Sequence, residues 1–321
     1  MKRQVLALAL AGGLALSMLG CGSSSEDDSE DATVETEVVS ESEVTVETSA
    51  LESETVQETE TATTEEITFE SLTVVDNDEC SIVITGVNPD GIWGYTLDVE
   101  LENKSSDVTY MFAVRDASIN GVESDPLFAT TVAAGKKSVD EIYFTDDDDL
   151  IENGIDVFTD IEISFYVYDD DNYTGDYVAE ETVHVYPYGE ENATTFVRED
   201  LETDTVLVDD DNVTVIVTGY ELDEIWGYTV NLYLVNKTDT SVMFAVEDAS
   251  VNGYMSDPFW ANSVPAGDCA FSSMSWSESD LEEIGITDLE SGIETIEFTL
   301  RAYDNETYVD EFVNQTVTLN P

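Results

Sequence analysis

The run Asp169-Asp170-Asp171-Asn172, followed by Asp176, spaces its carboxylates as the opening of a calcium loop does. Ca2+ takes several oxygen ligands, and short Asp and Asn side chains supply them from one flexible segment. The match then breaks: Tyr173 stands where a third oxygen ligand belongs and Thr174 where the sharp turn calls for Gly. Asp76-Asn77-Asp78-Glu79 and Asp209-Asp210-Asp211-Asn212 carry a similar acidic pattern, and Asp146 to Asp149 form a further cluster. The candidate ligands for Ca2+ are thus Asp169, Asp171 and Asp176, with Asp76 and Asp78, and Asp209 and Asp211, in two other loops. Asp and Asn are also the ordinary formers of tight turns, and that reading of the same residues stands beside the first.

Acid-base and nucleophilic chemistry finds little to work with. His184 is the one histidine; it alternates with Val183 and Val185 and is expected at the surface, with no Ser-His or Cys-His pair to make. Cys80 is in phase with Ile82 and Ile84 and reads as a small buried hydrophobe. Cys269 has no cysteine at the equivalent point of the other half, so free thiols are expected rather than a disulfide. In so acidic a chain some carboxylates always lie at glycosidase spacing, which makes such pairs uninformative. No catalytic residue and no cofactor is assigned, and the chain is expected not to be an enzyme.

Aromatic residues could instead stack on a sugar ring. Trp93 and Trp226 share a period-2 face with Tyr95, Leu97 and Val99 and with Tyr228 and Val230, so both are expected in a core. Trp260, beside Pro258, is the better sugar-binding candidate, although Trp260 and Trp276 align with Phe128 and Phe144, which suggests packing.

These residues sit in an internal repeat. Thr85 to Asn103 and Thr218 to Asn236 match at 10 of 19 positions, and Met111 to Pro126 and Met243 to Pro258 at 12 of 16. The copies run from 67 to 188 and from 193 to 321. Within each, apolar and polar residues alternate, as in Tyr95, Leu97, Val99 and Leu101 against Thr96, Asp98, Glu100 and Glu102, the mark of a half-buried strand. Asn120-Gly121 and Asn252-Gly253 predict tight hairpins. Asp149 to Gly154 and Asp280 to Gly285 read as one helical turn closed by Gly. Seven or eight short strands per copy predict an all-β chain of two tandem immunoglobulin-like β-sandwich domains. The shared polar set Asp116, Ser118, Asn120, Ser124 and Asp125, repeated as Asp248, Ser250, Asn252, Ser256 and Asp257, is expected to fix local turns, with a twice-built binding edge as the other reading. Lys104 and Lys237 are read as turn residues too.

Ahead of the repeats, residues 1–21 pair Lys2 and Arg3 with an apolar run from Val5 to Leu19, the layout of a secretory signal. It ends in Met18-Leu19-Gly20-Cys21, which resembles the lipobox of bacterial lipoproteins, and the resemblance implies a lipid on Cys21. Residues 22–66 then hold 16 Asp or Glu with no Lys, Arg, aromatic or Pro. That segment cannot bury enough apolar surface to offset chain entropy and is expected to be a disordered acidic linker. The full chain of 321 residues has 73 acids against 9 bases, a net charge of -64, which argues against binding nucleic acid or anionic membrane surfaces.

Lipobox, acidic Ser/Thr stalk and the doubled pattern of Ile-Trp-Gly-Tyr-Thr, Met-Phe-Ala-Val, Asp-Ala-Ser, Asn-Gly and Ser-Asp-Pro together resemble the uncharacterised surface lipoproteins of Gram-positive bacteria that carry tandem immunoglobulin-like domains. The resemblance implies location and fold only. The expectation is a lipid-anchored, extracytoplasmic, non-enzymatic protein, held at the membrane through Cys21, that presents two domains to an extracellular protein or cell-wall polymer. The alternative is a calcium-dependent adhesion or carbohydrate-binding module.

Overall fold

A computed structural model describes residues 66–321 except Trp93, Thr145, Asp146, Glu224, Asp310 and the side chains of Asp147, Asp148 and Asp149. The signal segment, Cys21 and the acidic linker therefore lie outside the described residues. Of the first copy, the strands are β1 (Leu72–Asp76), β2 (Cys80–Gly91), β3 (Gly94–Asn103), β4 (Tyr110–Ile119), β5 (Val122–Ser124), β6 (Ala129–Val132), β7 (Lys137–Phe144), β8 (Ile161–Asp169) and β9 (Ala179–Val185), with a short helix α1 (Asp147–Glu152) after β7. The second copy repeats them as β10 (Thr205–Asp209), β11 (Val213–Asp223), β12 (Gly227–Asn236), β13 (Val242–Val251), β14 (Tyr254–Met255), β15 (Ala261–Val264), β16 (Cys269–Trp276), β17 (Ile296–Asp304) and β18 (Glu311–Leu319), with α2 (Glu278–Glu283) after β16.

Each copy is a β-sandwich. In the first, β1-β2-β3-β7 form one sheet, and β4 pairs with β5, β6 and β8, and β8 with β9, in the other. In the second, β10-β11-β12-β16 lie opposite β13, which pairs with β14, β15 and β17, and β17 with β18. The chain crosses between sheets after β3, returns at β7 and crosses again at β8, the Greek-key connectivity of immunoglobulin-like sandwiches. The alternation expected from sequence fills the interior: Leu97, Val99 and Leu101 of β3 are buried against Phe112, Phe165 and Ile163, and Val230, Leu232 and Leu234 of β12 against Phe244, Phe298 and Leu300. Burying each such side chain contributes roughly 1.5–3 kcal/mol.

Residues identical in the two copies hold the frame. Asn103 is buried, with Nδ2 donating to Val108 O and Val132 O and Oδ1 accepting from Ser105 N; Asn236 makes the same clamp to Thr240 O, Val264 O and Thr238 N. Asn120 and Asn252 adopt positive φ in their two-residue turns, and each ties its hairpin to the loop before β8 or β17 through three side-chain bonds to backbone, Asn120 to Val157, Thr159 and Asp160 and Asn252 to Gly292, Glu294 and Thr295. Gly154 and Gly285, at φ 90° and 91°, close the two helical turns as expected.

Where the copies differ, they join. The described residues fall in one compact unit. Cys269 at the start of β16 pairs in parallel with Val122 of β5, so a sheet of each sandwich runs into the other. Ile216, Tyr233 and Cys269, on the outer face of the second sandwich, belong to the hydrophobic cluster of the first, with Val235, Phe271 and the linker residue Phe196 packed against it. Phe271 meets Phe196 edge-on at 5.7 Å and Tyr233 at 5.3 Å between centroids. The first copy has Val83, Glu100, Lys137, Glu102 and Val139 at the corresponding places, and there Val139 is 77% exposed. Phe196 N also donates to Asn120 O, and the linker's Arg198 makes a two-pronged pair with Asp204 beneath the Tyr233 ring.

Candidate functional site

An open cleft of about 900 Å³ runs along the outer face of the second sandwich. Its floor comes from neighbouring strands β12 and β16, where outward-facing Asn231 and Ser273 are directly paired. One wall is the segment Pro258-Phe259-Trp260, where the chain passes β16 before entering β15; Phe259 N donates to Ser275 O at 2.9 Å and holds it there. Glu152 and Asn153, from the end of α1 in the first sandwich, close one end. The cleft is thus built by both copies and depends on how they are joined.

Trp226 lines a smaller pocket of about 230 Å³ that shares Glu221, Phe259 and Ser273 with the main cleft. This corrects the expectation that Trp226 is a core residue: it is 56% exposed. The period-2 pattern extends through Trp226 in the sequence, but Gly227 has φ 82° and Trp226 lies in the turn before β12. Asp223 Oδ1 accepts from Ile225 N and Trp226 N, both at 2.7 Å, which fixes the turn and holds the Asp223 carboxyl below its usual range. The Trp226 ring lies parallel to that of Phe259, within 6° and 6.3 Å between centroids, and Phe259 is 80% exposed. Trp93, the counterpart in the first copy, lies outside the described residues. Trp260 is half-buried at the cleft wall, its Nε1 donating to Ser272 Oγ at 2.9 Å, while Trp276 is buried as its alignment with Phe144 implied.

The two cleft serines are not poised as nucleophiles. Ser273 Oγ donates to Asn231 Oδ1 at 3.1 Å and Ser272 Oγ to Asn262 Oδ1 at 3.1 Å, so amide oxygens accept their protons where a catalytic base would have to stand. His184 lies elsewhere, on β9, with Nδ1 2.8 Å from Asp160 and Nε2 3.4 Å from Glu162. Burial opposes its charge, yet those carboxylates prevail and raise its pKa.

The candidate calcium ligands are not brought together. Lys104 Nζ lies 2.6 Å from Asp76 Oδ1 and bonds Asn77 O, and Lys237 Nζ lies 2.8 Å from Asp209 Oδ1 and bonds Asp210 O, so a lysine ammonium sits on each of the two equivalent hairpins. These lysines lower the pKa of both Asp76 and Asp209. Asp78 and Asp211 are exposed at the tips. In the third loop Asp169 Oδ1 accepts from Asp171 N at 3.0 Å, an Asx turn, while Asp171 and Asp176 face solvent. Among the described residues, no three His, Cys, Asp or Glu side chains are grouped to hold a metal ion. Among the described residues, Lys104, Arg115, Lys137, Arg198, Lys237 and Arg301 sit on carboxylates. No helix among the described residues is long and apolar enough to cross a membrane.

Among the described residues, Cys80 and Cys269 are free and buried, and burial pushes each thiol up to about 11. Cys80 fills the core position that Val213 fills in the second copy.

The signal for the cleft was present in the differences between copies. β16 reads Cys-Ala-Phe-Ser-Ser-Met-Ser-Trp without a charge, whereas its counterpart β7 reads Lys-Ser-Val-Asp-Glu-Ile-Tyr-Phe, and Asn231 replaces Asp98. In so acidic a chain, a face cleared of carboxylates is a departure, and it lies where the copies differ rather than where they agree.

No protein-family model and no curated protein matches the sequence. Among solved structures, the YadV chaperone is similar over 70% of this chain and 92% of its own, at 9% identity and a TM-score of 0.22. Red sea bream transglutaminase is similar over 77% of this chain and 31% of its own, at 12% identity and a TM-score of 0.21. The Amycolatopsis orientalis exo-chitosanase is similar over 73% and 26%, at 12% identity and a TM-score of 0.21. The chain thus spans under a third of the latter two proteins. Scores at this level carry no inference about function.

Proposed function

We propose that this chain is a lipid-anchored, extracytoplasmic, non-enzymatic protein that displays a rigid pair of immunoglobulin-like sandwiches to bind an extracellular protein or polymer. The observation that carries the binding role is the cleft built across the two copies: it offers exposed rings and hydroxyls, and its serines donate to amides rather than to a base. Cys21 supplies the anchor, and the acidic linker, self-repelling and roughly 150 Å long if fully extended, lifts the sandwiches from the membrane. Acylation of Cys21 with more than one chain gives stable retention, which a single chain would not.

Cell fractionation of the full chain tests the anchoring. Wild type should sediment with membranes and Cys21→Ser should not; equal distribution of the two would contradict the anchor.

A further inference from the structure

We propose that the cleft of the second sandwich binds a neutral, hydroxyl-rich glycan, with the stacked rings of Trp226 and Phe259 as its aromatic platform and Asn231 and Ser273 as its hydrogen-bonding floor. This rests on the reading of the chain as a binding protein and names the ligand class of that same site.

The rings come first. Trp226 and Phe259 are large apolar side chains left in water, aligned within 6° by two separate devices, the Asp223 cap and the Phe259–Ser275 backbone bond. With centroids 6.3 Å apart they leave too little room for a sugar ring between them, since contacts of about 3.5–4 Å are needed on each side. A ligand therefore packs beside the stack rather than within it, one ring backing the other, where the C–H face of a pyranose meets an aromatic surface while its hydroxyls stay turned to polar groups. Serine and asparagine are suited to those hydroxyls because each can donate and accept, and Ser273, having given its proton to Asn231, still offers lone pairs.

Charge selects the class. The first copy carries Asp98, Asp140 and Glu141 where the second has Asn231, Ser272 and Ser273, so the floor is neutral only in the second copy. Glu152, Glu221 and Asp223 stand at its margins in a chain of net charge -64, which repels sulfated, phosphorylated or uronic polymers. Neutral hydroxyls meet no such barrier. The volume of about 900 Å³ exceeds a single sugar and fits several residues of a chain laid lengthwise.

The test is isothermal titration of the full chain, held in a zwitterionic detergent without a sugar headgroup, against a soluble β-glucan, an α-mannan, a xylan and N-acetylglucosamine oligomers, with heparin as the polyanion. The expected result is saturable binding to at least one neutral probe and none to heparin. Trp226→Ala and Phe259→Ala should each weaken it at least tenfold with an unchanged melting curve, Ser273→Glu should abolish it, and Leu127→Ala, at the matching place in the first copy, should leave it intact. Failure of every neutral probe, or equal affinity in the Trp226 and Phe259 variants, would overturn the proposal. Membrane recovery of the same preparations is scored separately, so that loss of glycan binding in a chain that still fractionates with membranes rejects the ligand class and not the anchored binder.

Discussion

The backbone amide of Cys269 donates to the carbonyl oxygen of Gly121 at 2.9 Å, and the Cys269 thiol reaches the same oxygen at 3.3 Å. The two residues lie 148 positions apart and in different copies of the repeat, so one hairpin tip of the first sandwich is stitched to the first residue of a strand in the second. Tyr254, which takes the place of Val122 in the second copy, is exposed, whereas Val122 is fully buried.

That stitch separates two otherwise equivalent glycines. Gly121 and Gly253 have φ of 80° and 81°, and alanine at either costs about 1 kcal/mol for the left-handed backbone alone. A methyl at Gly253 meets nothing within 4 Å, whereas one at Gly121 comes within 3.3 Å of Thr195 Cγ2 and 3.6 Å of Asp268 Oδ1. Gly121→Ala should therefore lower stability more than Gly253→Ala, by about 1 kcal/mol, in denaturant unfolding at equal m-value. Equal losses would mean that the contact across the junction is slack.

Asp268, next to Cys269, is 8% exposed, and burial raises its pKa to about 6, with Asp160 and Glu162 adding to the rise and Ser118 and His184 opposing it. Its folded pKa lies above the unfolded value of 3.8, so between those values the native state holds more protons than the unfolded chain. Its contribution therefore favours the fold at low pH and is lost as pH rises from about 4 to about 6. His184 acts in the same direction: its raised pKa gives stability that is complete below the ordinary imidazole value and fades as pH rises through the folded one. Asp268→Asn should gain stability relative to wild type, on the order of 1–3 kcal/mol, between pH 4 and pH 7.5. A constant difference across that range, measured by thermal unfolding, would contradict the burial of a charged Asp268.

Calcium should do nothing that magnesium does not. With a lysine ammonium on Asp76 and on Asp209, and Asp169 bonded to its own loop, the acidic turns already have their partners. Melting temperatures of the full chain in CaCl2, MgCl2 and NaCl at matched ionic strength should rise together, by screening of the acidic surface. A saturable rise confined to Ca2+ would show a specific site and restore the adhesion reading.

The frame of this fold is legible because it depends on local chemistry that repeats. Asn120-Gly121, Asn103-Lys104 and the strand alternation carry the same physical instruction in both copies, and the structure uses them alike. Trp226 departs from the core face because periodicity reports a face only while the backbone remains extended, and Gly227 turns it aside. The junction was written in the sequence at positions where the copies disagree: Tyr233 against Glu100, Val235 against Glu102, Phe271 against Val139 and Cys269 against Lys137. Apolar residues on both faces of β12 cannot both point into one sandwich, so the second face needs its own cover, which Phe196 and the first copy provide. The cleft was least legible, since its residues come from β11, β12, β16, the segment before β15 and the end of α1, which only the docked pair brings together.

The most direct test of a single body built from two copies is calorimetric unfolding of the full chain. Docking through the β5–β16 pair and the Phe196, Tyr233 and Phe271 cluster predicts one transition, with the calorimetric enthalpy equal to the van't Hoff enthalpy. Two resolved transitions, or a calorimetric enthalpy about twice the van't Hoff value, would show two sandwiches unfolding independently and would remove the shared cleft with them.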